Sequence, residues 1–338
     1  MKKNLIVTLA DENYVQQAKQ LFSSIYFNSG WKGDYMLLSH DIPEEKLQWF
    51  KKKGIIVKKC KPLSDKIIGF RNWPYTILSK FYLFDKGMSK WDHIIFLDSD
   101  IIVRKSLEDL EKLGGFYASY DFRLDGKYPR SIKEQFSKPG IFSNTKDKIL
   151  FNHLKKEFNL KNKSFNSGVM VIKTSDTKKE TLSDLIYLFN SYGRLTKNPD
   201  QAILNLYFKK FNILPERYNS WPDYLANYYG LSPSEMEENI LHFMGEKKPW
   251  LKDSPFFEEW NRNLRNAENI NLKKRQPYKK SISKEALLEY QNSLKKRRKI
   301  FYHRHIARYK GMAGNLIQKT IPHVCTKVKD LKNRIKSI

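Results

Sequence analysis

Cysteine is nearly absent from this chain. Cys60 and Cys325 are the only two among 338 residues, too few for a disulfide framework or a cysteine metal cluster. No apolar run approaches the ~20 residues that span a bilayer. The first residues, MKKNLIVTLADENY, join a positive end to an apolar patch. Asp11 and Glu12 interrupt that patch too soon for a secretory signal, and no small-residue cleavage site follows. Internal repeats are missing too. These absences set the expectation of a reducing, cytoplasmic location. Acidic residues are the other shortage: 36 Asp and Glu stand against 63 Lys and Arg, for a net charge of +27. The shortage is uneven. Over residues 271–338 there are 20 Lys and Arg but only 3 Asp and Glu. Such asymmetry marks a basic tail that meets an anionic partner, either a membrane surface or a nucleic acid.

What the chain does have is core material, with 40% hydrophobic and 14% aromatic residues. In the N-terminal half the apolar period alternates between two and 3.6. Strands are expected over residues 4–10, 34–39 and 55–58, with helices over 14–27, 44–53 and 76–84 between and after them. A strand into Asp98 follows, then strands over 114–122 and 164–172 and helices over 147–158, 181–189 and 200–211. Short strands are expected at 213–218 and 240–243. This alternation implies an α/β domain with a mostly parallel sheet, in which ligands bind beyond the carboxyl ends of strands. Residues 123–145 lack clear periodicity and read as a mobile loop over a site. Gly168, inside the strand SFNSGVMVI, marks close approach of a ligand or backbone. Domain bounds of 1–255 and 256–338 follow, the second being a basic helical extension.

The stretch DHIIFLDSDIIV is the most informative. An apolar run stops at Asp98-Ser99-Asp100 and resumes at Ile101-Ile102-Val103. Two carboxylates at the end of a buried strand would repel each other and cost several kcal/mol if left bare. A divalent cation resolves the conflict, and such an ion binds phosphate oxygens in turn. The alternative is a solvated turn with two surface acids. His242, in ILHFMGEKKPW, ends another short apolar strand. A neutral imidazole suits a transition metal held by two carboxylates and favours Mn²⁺ over Mg²⁺; otherwise it is a packed core histidine. Gly245 would permit backbone approach to a phosphate, and Lys248 would supply a point charge for it. By composition Lys80 reads as a snorkelling surface lysine, Asn166 as a turn cap or a sugar-hydroxyl ligand, and Asp200-Gln201 as a helix start.

Five blocks in order carry a resemblance: LIVTLADENY, the helix around Lys80, FLDSD, FNSGVMVI with NPDQAILN, and HFMGEKKPW. Over roughly residues 3 to 250 the chain resembles the family 8 retaining glycosyltransferases. The resemblance implies a single nucleotide-sugar-binding α/β domain, Rossmann-like and of GT-A type, with a UDP-glucose or UDP-galactose donor and Mn²⁺, Mg²⁺ being the alternative. It assigns Asp98, Asp100 and His242 to the metal. Thr8, Leu9, Ala10 and Tyr14 match the uridine-binding start, with Tyr14 on uracil and Ser99 on the ribose. Gly245 and Lys248 match diphosphate contacts, and Lys80 a basic residue near the donor phosphates and sugar. Asn166, Asp200 and Gln201 match the donor sugar and reaction centre, with Gln201 and Asp200 as the catalytic pair. Ala10 departs from the many relatives that carry a hydrogen-bonding residue there, so uracil recognition passes to the backbone or to Asp11.

The resemblance implies an oxocarbenium-like transition state. Because an amide is a poor nucleophile, same-face attack is favoured, with Asp200 as the fallback nucleophile. The expected acceptor is a lipopolysaccharide or another surface glycan, free or lipid-linked. LKKRRKIFYHRHIARYK mixes cations with apolar and aromatic residues, the composition of an interfacial helix on an anionic membrane. Peripheral attachment to the inner face of the membrane is therefore expected, and no nucleic acid partner. The competing class is a non-enzymatic basic module with a scaffold domain. Three metal-type ligands at strand ends argue against it.

Overall fold

The computed structural model describes residues 3–64, 75–122, 129–136, 144–273, 288 and 292–299. Among the described residues nine strands run in chain order: Leu5–Ala10 (β1), Asp34–Ser39 (β2), Ile56–Lys59 (β3), His93–Leu97 (β4), Ile101–Val103 (β5), Phe116–Tyr120 (β6), Phe165–Lys173 (β7), Asn212–Ile213 (β8) and Ile240–His242 (β9). The α-helices are Val15–Asn28 (α1), Glu44–Lys52 (α2), Thr145–Glu157 (α3), Thr181–Tyr192 (α4), Pro199–Tyr207 (α5), Pro222–Tyr229 (α6) and Phe257–Asn266 (α7).

Seven strands form one sheet in the order β3-β2-β1-β4-β7-β6-β8. The β1–β2, β1–β4, β2–β3 and β6–β8 pairs are parallel, and β7 runs antiparallel to both β4 and β6. This is the mostly parallel mixed sheet that the alternating periods imply. Its central strands are apolar on both faces, as a sheet covered on two sides requires. Ile94 and Phe96 of β4 point to a core shared with α3, α4 and α5, while Ile95 and Leu97 point to a core shared with α1 and α2.

Three expectations are corrected. Tyr75–Phe84 is a 3₁₀ segment rather than an α-helix. The strand expected over 213–218 is cut to Asn212–Ile213, because Pro215 holds the chain at φ −54° and starts the 3₁₀ turn Glu216–Tyr218. Helix α5 ends at Tyr207, and Phe208 (φ −85°, ψ 70°) takes the chain out of helical geometry. Of the loop expected over 123–145, residues 129–136 carry the 3₁₀ turn Ile132–Gln135. Residues 123–128 and 137–143 lie outside the described residues.

By internal contacts the chain divides into two units, Met1–Leu225 with Ser232–Ser281, and Ala226–Leu231 with Ile282–Ile338. The first contains both sheets and α7. In the second, residues 292–299 are helical, and Arg298 donates to Tyr228 Oη at 3.0 Å. Of the basic stretch expected to meet a membrane, residues 274–287, 289–291 and 300–338 lie outside the described residues. Among the described residues no helix is long and apolar enough to cross a membrane.

Candidate active site

The site forms where β4 stops. After Leu97 the chain leaves the large sheet for three residues. Ile101–Val103 then pairs antiparallel with β9, which places Ile101 opposite His242. The Phe243 N–H donates to Asp100 O at 3.0 Å. Asp98, Asp100 and His242 thereby converge, each offering one potential ligand atom within 4.8 Å of the others. His242 Nε2 lies 3.2 Å from Asp100 Oδ1 and 3.9 Å from Asp98 Oδ2. Two carboxylates and an imidazole are a donor set suited to Mn²⁺, with Mg²⁺ the harder alternative.

Strand β7 is antiparallel to β4, so its first residues lie beside the last of β4. The Asp98 N–H donates to Gly168 O at 2.8 Å. A Cβ on Gly168 would stand 2.1 Å from His242 Cε1 and 2.9 Å from Asp98 Oδ2. The glycine is thus required by side chains crossing the strand, a correction to the ligand or backbone expected from sequence.

Pro199 opens α5 and sets its first-turn φ. The next two residues, Asp200 and Gln201, come to rest over the start of β7. Lys80 is not a surface lysine. It is buried, with Nζ 2.6 Å from Asp200 Oδ2, 3.1 Å from Asp98 Oδ1 and 3.2 Å from Ser167 Oγ. Burial alone would lower its pKa, but Asp200 and Asp98 outweigh it and hold the ammonium above the ordinary lysine value. Burial also pushes both metal-type carboxyls up. For Asp98 it prevails, with Asp100 adding to it, whereas His242 and Lys248 hold Asp100 below the usual carboxylate range. Lys248 Nζ sits 2.7 Å from Asp100 Oδ2 and donates to Phe243 O at 2.5 Å.

These side chains line one cleft of about 390 Å³. Of the residues expected from sequence, Leu9, Ala10, Tyr14, Lys80, Asp98, Ser99, Asp100, Asn166, Asp200, Gln201, His242 and Lys248 all border it. Thr8 and Gly245 do not. Alternation along β1 puts Thr8 on the face of Ile6 and Ala10, where its hydroxyl is buried without a partner. Gly245 is exposed, and a Cβ there would meet Asp223 Oδ2 at 3.0 Å. Tyr14 stands edge-on to Trp250 at 6.1 Å. Asp11 borders the cleft as well and accepts from Asn13 N–H at 3.0 Å.

Three residues that sequence reasoning did not single out complete the site. Asp121 follows β6 and accepts from Gln135 Nε2 and, at 3.2 Å, from Gln201 Nε2. Gln201 Nε2 also donates to Gln135 Oε1 at 3.1 Å. Asn219 accepts from His242 Nδ1 at 2.8 Å. Asp121 had a readable signal, an acid closing the strand FYASY as Asp98 closes HIIFL. Gln135 lies in a short 3₁₀ turn and Asn219 directly follows one, and neither stretch of sequence carries a period.

The profile described as "Glycosyl transferase family 8" matches residues 5–254. The chain is 26% identical over 275 residues to glycosyltransferase GlyA of Streptococcus pneumoniae serotype 4, covering 77% of this chain and 34% of that protein. It is 26% identical over 234 residues to a lipopolysaccharide 1,2-glucosyltransferase of Escherichia coli, covering 63% of this chain and 60% of that one. The chain thus spans between a third and three fifths of the length of these relatives. Among solved structures, the galactosyltransferase LgtC in complex with donor and acceptor sugar analogues superposes with a TM-score of 0.56 at 17% identity. The likeness covers 83% of this chain and 98% of that one, and it shows the shared GT-A-type fold.

Proposed function

The chain belongs to glycosyl transferase family 8, and on that premise we propose that it moves a hexose, glucose or galactose, from UDP to a hydroxyl of a glycan acceptor. Lipopolysaccharide or another cell-surface glycan fits best, on the strength of the Escherichia coli relative. The observation that carries this reading is the convergence of Asp98, Asp100 and His242 in a cleft that also holds Lys80, Lys248 and Gln201. A non-enzymatic scaffold has no use for such a cluster.

A divalent cation, Mn²⁺ by preference, would be held by Asp98, Asp100 and His242 and would neutralise charge on the departing diphosphate. Lys248, held beside Asp100, would supply a point charge to the same phosphates. Leu9, Ala10, Asp11 and Tyr14 form the wall for the uridine, and Ser99 reaches the ribose. Asn166, Asp200 and Gln201 face the sugar. Asp200 Oδ2 is tied to the Lys80 ammonium and accepts from Ser167 Oγ at 3.0 Å. Gln201 Oε1 already accepts from Ser167 N–H and from Asn166 Nδ2. Both are poor candidates for a β-face nucleophile, which supports attack from the face of departure. The acceptor oxygen bonds to the anomeric carbon as the bond to phosphate breaks, and a phosphate oxygen of the leaving UDP takes the acceptor's proton. The charge excess over residues 271–338 supports attachment to an anionic membrane surface, where lipid-linked acceptors would also reside.

A donor screen with UDP-glucose and UDP-galactose, with and without Mn²⁺, tests the reading through UDP release. Asp100→Ala should abolish metal-dependent release while the fold is kept. Near-normal Mn²⁺-dependent turnover in that variant would sink the metal assignment.

A further inference from the structure

The hydrogen bonds beside the cluster have one unambiguous direction, set by the backbone of β7. A backbone N–H only donates, and Gly168 N–H lies 3.0 Å from Asn166 Oδ1. The Asn166 amide oxygen is thereby identified, and its nitrogen faces Gln201 Oε1 at 3.2 Å. Ser167 N–H independently identifies that Gln201 oxygen at 3.0 Å. Asn219 approaches the Asn166 oxygen at 2.9 Å, so it does so with its Nδ2. Its own oxygen is left toward His242 Nδ1 at 2.8 Å. An amide oxygen only accepts, so Nδ1 is a nitrogen that carries a proton. Nε2, which faces Asp98 and lies 3.2 Å from Asp100 Oδ1, is then the nitrogen left for a cation.

Asn166, Asn219 and His242 are all buried, with exposures of 7%, 4% and 2%, which leaves little room for another arrangement. The backbone around Asn219 is pinned as well. Its N–H donates to Glu216 O at 2.9 Å, and His242 N–H donates to Ser220 O at 2.8 Å.

We propose that Asn219 is the positioning residue of the metal cluster: it passes the polarity of the β7 backbone to His242 and fixes the tautomer that presents Nε2. The proposal rests on the reading that Asp98, Asp100 and His242 hold a divalent cation. It adds that the metal ligand and the amide of Gln201 hang on one oxygen-ordered chain, since Asn166 bonds to both Gln201 and Asn219. A partner on the far nitrogen of a metal-binding histidine orients the ring and typically changes metal affinity 10–100-fold, roughly, when removed.

The full-length chain labelled with ¹⁵N-histidine, in excess diamagnetic Mg²⁺ and free of donor at pH 8, reports through its two-bond couplings which nitrogen keeps its proton. Wild type is expected to show His242 protonated at Nδ1. Asn219→Leu removes the acceptor and should abolish that preference. Asn219→Asp keeps an acceptor and should retain it. In Mn²⁺ titrations followed by electron paramagnetic resonance, Asn219→Leu should bind roughly 10–100-fold more weakly and Asn219→Asp within a few-fold of wild type. A wild-type His242 protonated at Nε2 alone, with Nδ1 bare, would overturn the proposal. So would an Asn219→Leu chain that melts lower but keeps its tautomer, because packing would then be the whole role of Asn219. Should Asn219→Leu not fold, the wild-type and Asn219→Asp spectra still decide. If wild type binds no Mn²⁺, the metal reading fails, while the tautomer result still judges Asn219 by itself.

Discussion

Around Gln201 the buried amides are all partnered, whereas two helices on the other side of the sheet bury polar groups that have none. Gln201 uses both ends: its oxygen accepts from Ser167 N–H and Asn166, and its nitrogen donates to Asp121 and Gln135. Helices α1 and α7 pack against one another. In α1, Gln20 is fully buried with neither amide atom partnered, and Ser23 Oγ is also unpartnered. In α7 the same holds for Trp260 Nε1 and Asn263 Nδ2. The difference follows from the asymmetry of hydrogen-bond energetics. A made bond contributes about 1 kcal/mol net, while a buried group left without a partner costs about 1–3 kcal/mol. Deleting a member of the Gln201 network strands several neighbours at once. Replacing a member of the helix pair by an apolar side chain strands nothing.

The largest expected effect is at Gln201. Gln201→Ala should lower kcat about 100-fold or more while leaving the donor KM within a few-fold, and should destabilise the fold by about 2–4 kcal/mol. Steady-state kinetics and denaturant titration measure the two. An equal loss in kcat and donor affinity, or no loss at all, would reduce Gln201 to the start of a helix and erase the contrast.

Asp121 gives a smaller effect with a definite sign. Burial lifts its carboxyl to about 6 from the ordinary 3.8, against the pull of Arg130 and Gln135. The folded chain therefore keeps a proton that the unfolded chain has already released. Stability from this group is greatest below pH ~4, falls as pH rises to about 6, and stays reduced above that. Asp121→Asn should match wild type in unfolding free energy at pH 4 and exceed it at pH 8 by about 1–3 kcal/mol, read by denaturant titration. A variant less stable at pH 8 would mean that the network needs the carboxylate charge.

The smallest effect is expected in α1. Gln20→Leu keeps the volume and removes an unpartnered buried amide, so it should stabilise the fold by about 1 kcal/mol, read as a rise in Tm. A loss of stability there would show that the α1–α7 contact satisfies its polar groups after all, and the two regions would no longer differ in kind.

Much of the site was legible because strand ends are legible. HIIFL followed by Asp-Ser-Asp, and ILH followed by a glycine turn, each mark a place where burial stops and a charged or metal-binding group is left at the edge. The glycine of FNSGVMVI was visible as an anomaly, though its cause, the His242 ring lying over it, was not. Lys80 was misplaced by composition, since nothing local in YTILSKFYLF announces that Asp98 and Asp200 will meet its ammonium. Ile101–Val103 was legible as the apolar run resuming, but not as a strand of a second sheet with β9.

The sequence by itself determined the layered α/β fold, because apolar period is a local property and burial enforces it strand by strand. It also determined which residues lie at the carboxyl ends of β1 and β4. Only the tertiary structure decided which of them meet. Asp98 and His242 are 144 positions apart and are brought together by the pairing of two three-residue strands. Asn219 enters just after a 3₁₀ turn with no periodic signal, and Asp121 and Gln135 come from two further segments. Hydrogen-bond direction is settled by contact alone. Residue type names the donors and acceptors a side chain offers, but the Gly168 N–H must lie against Asn166 before the imidazole of His242 is told which nitrogen keeps its proton.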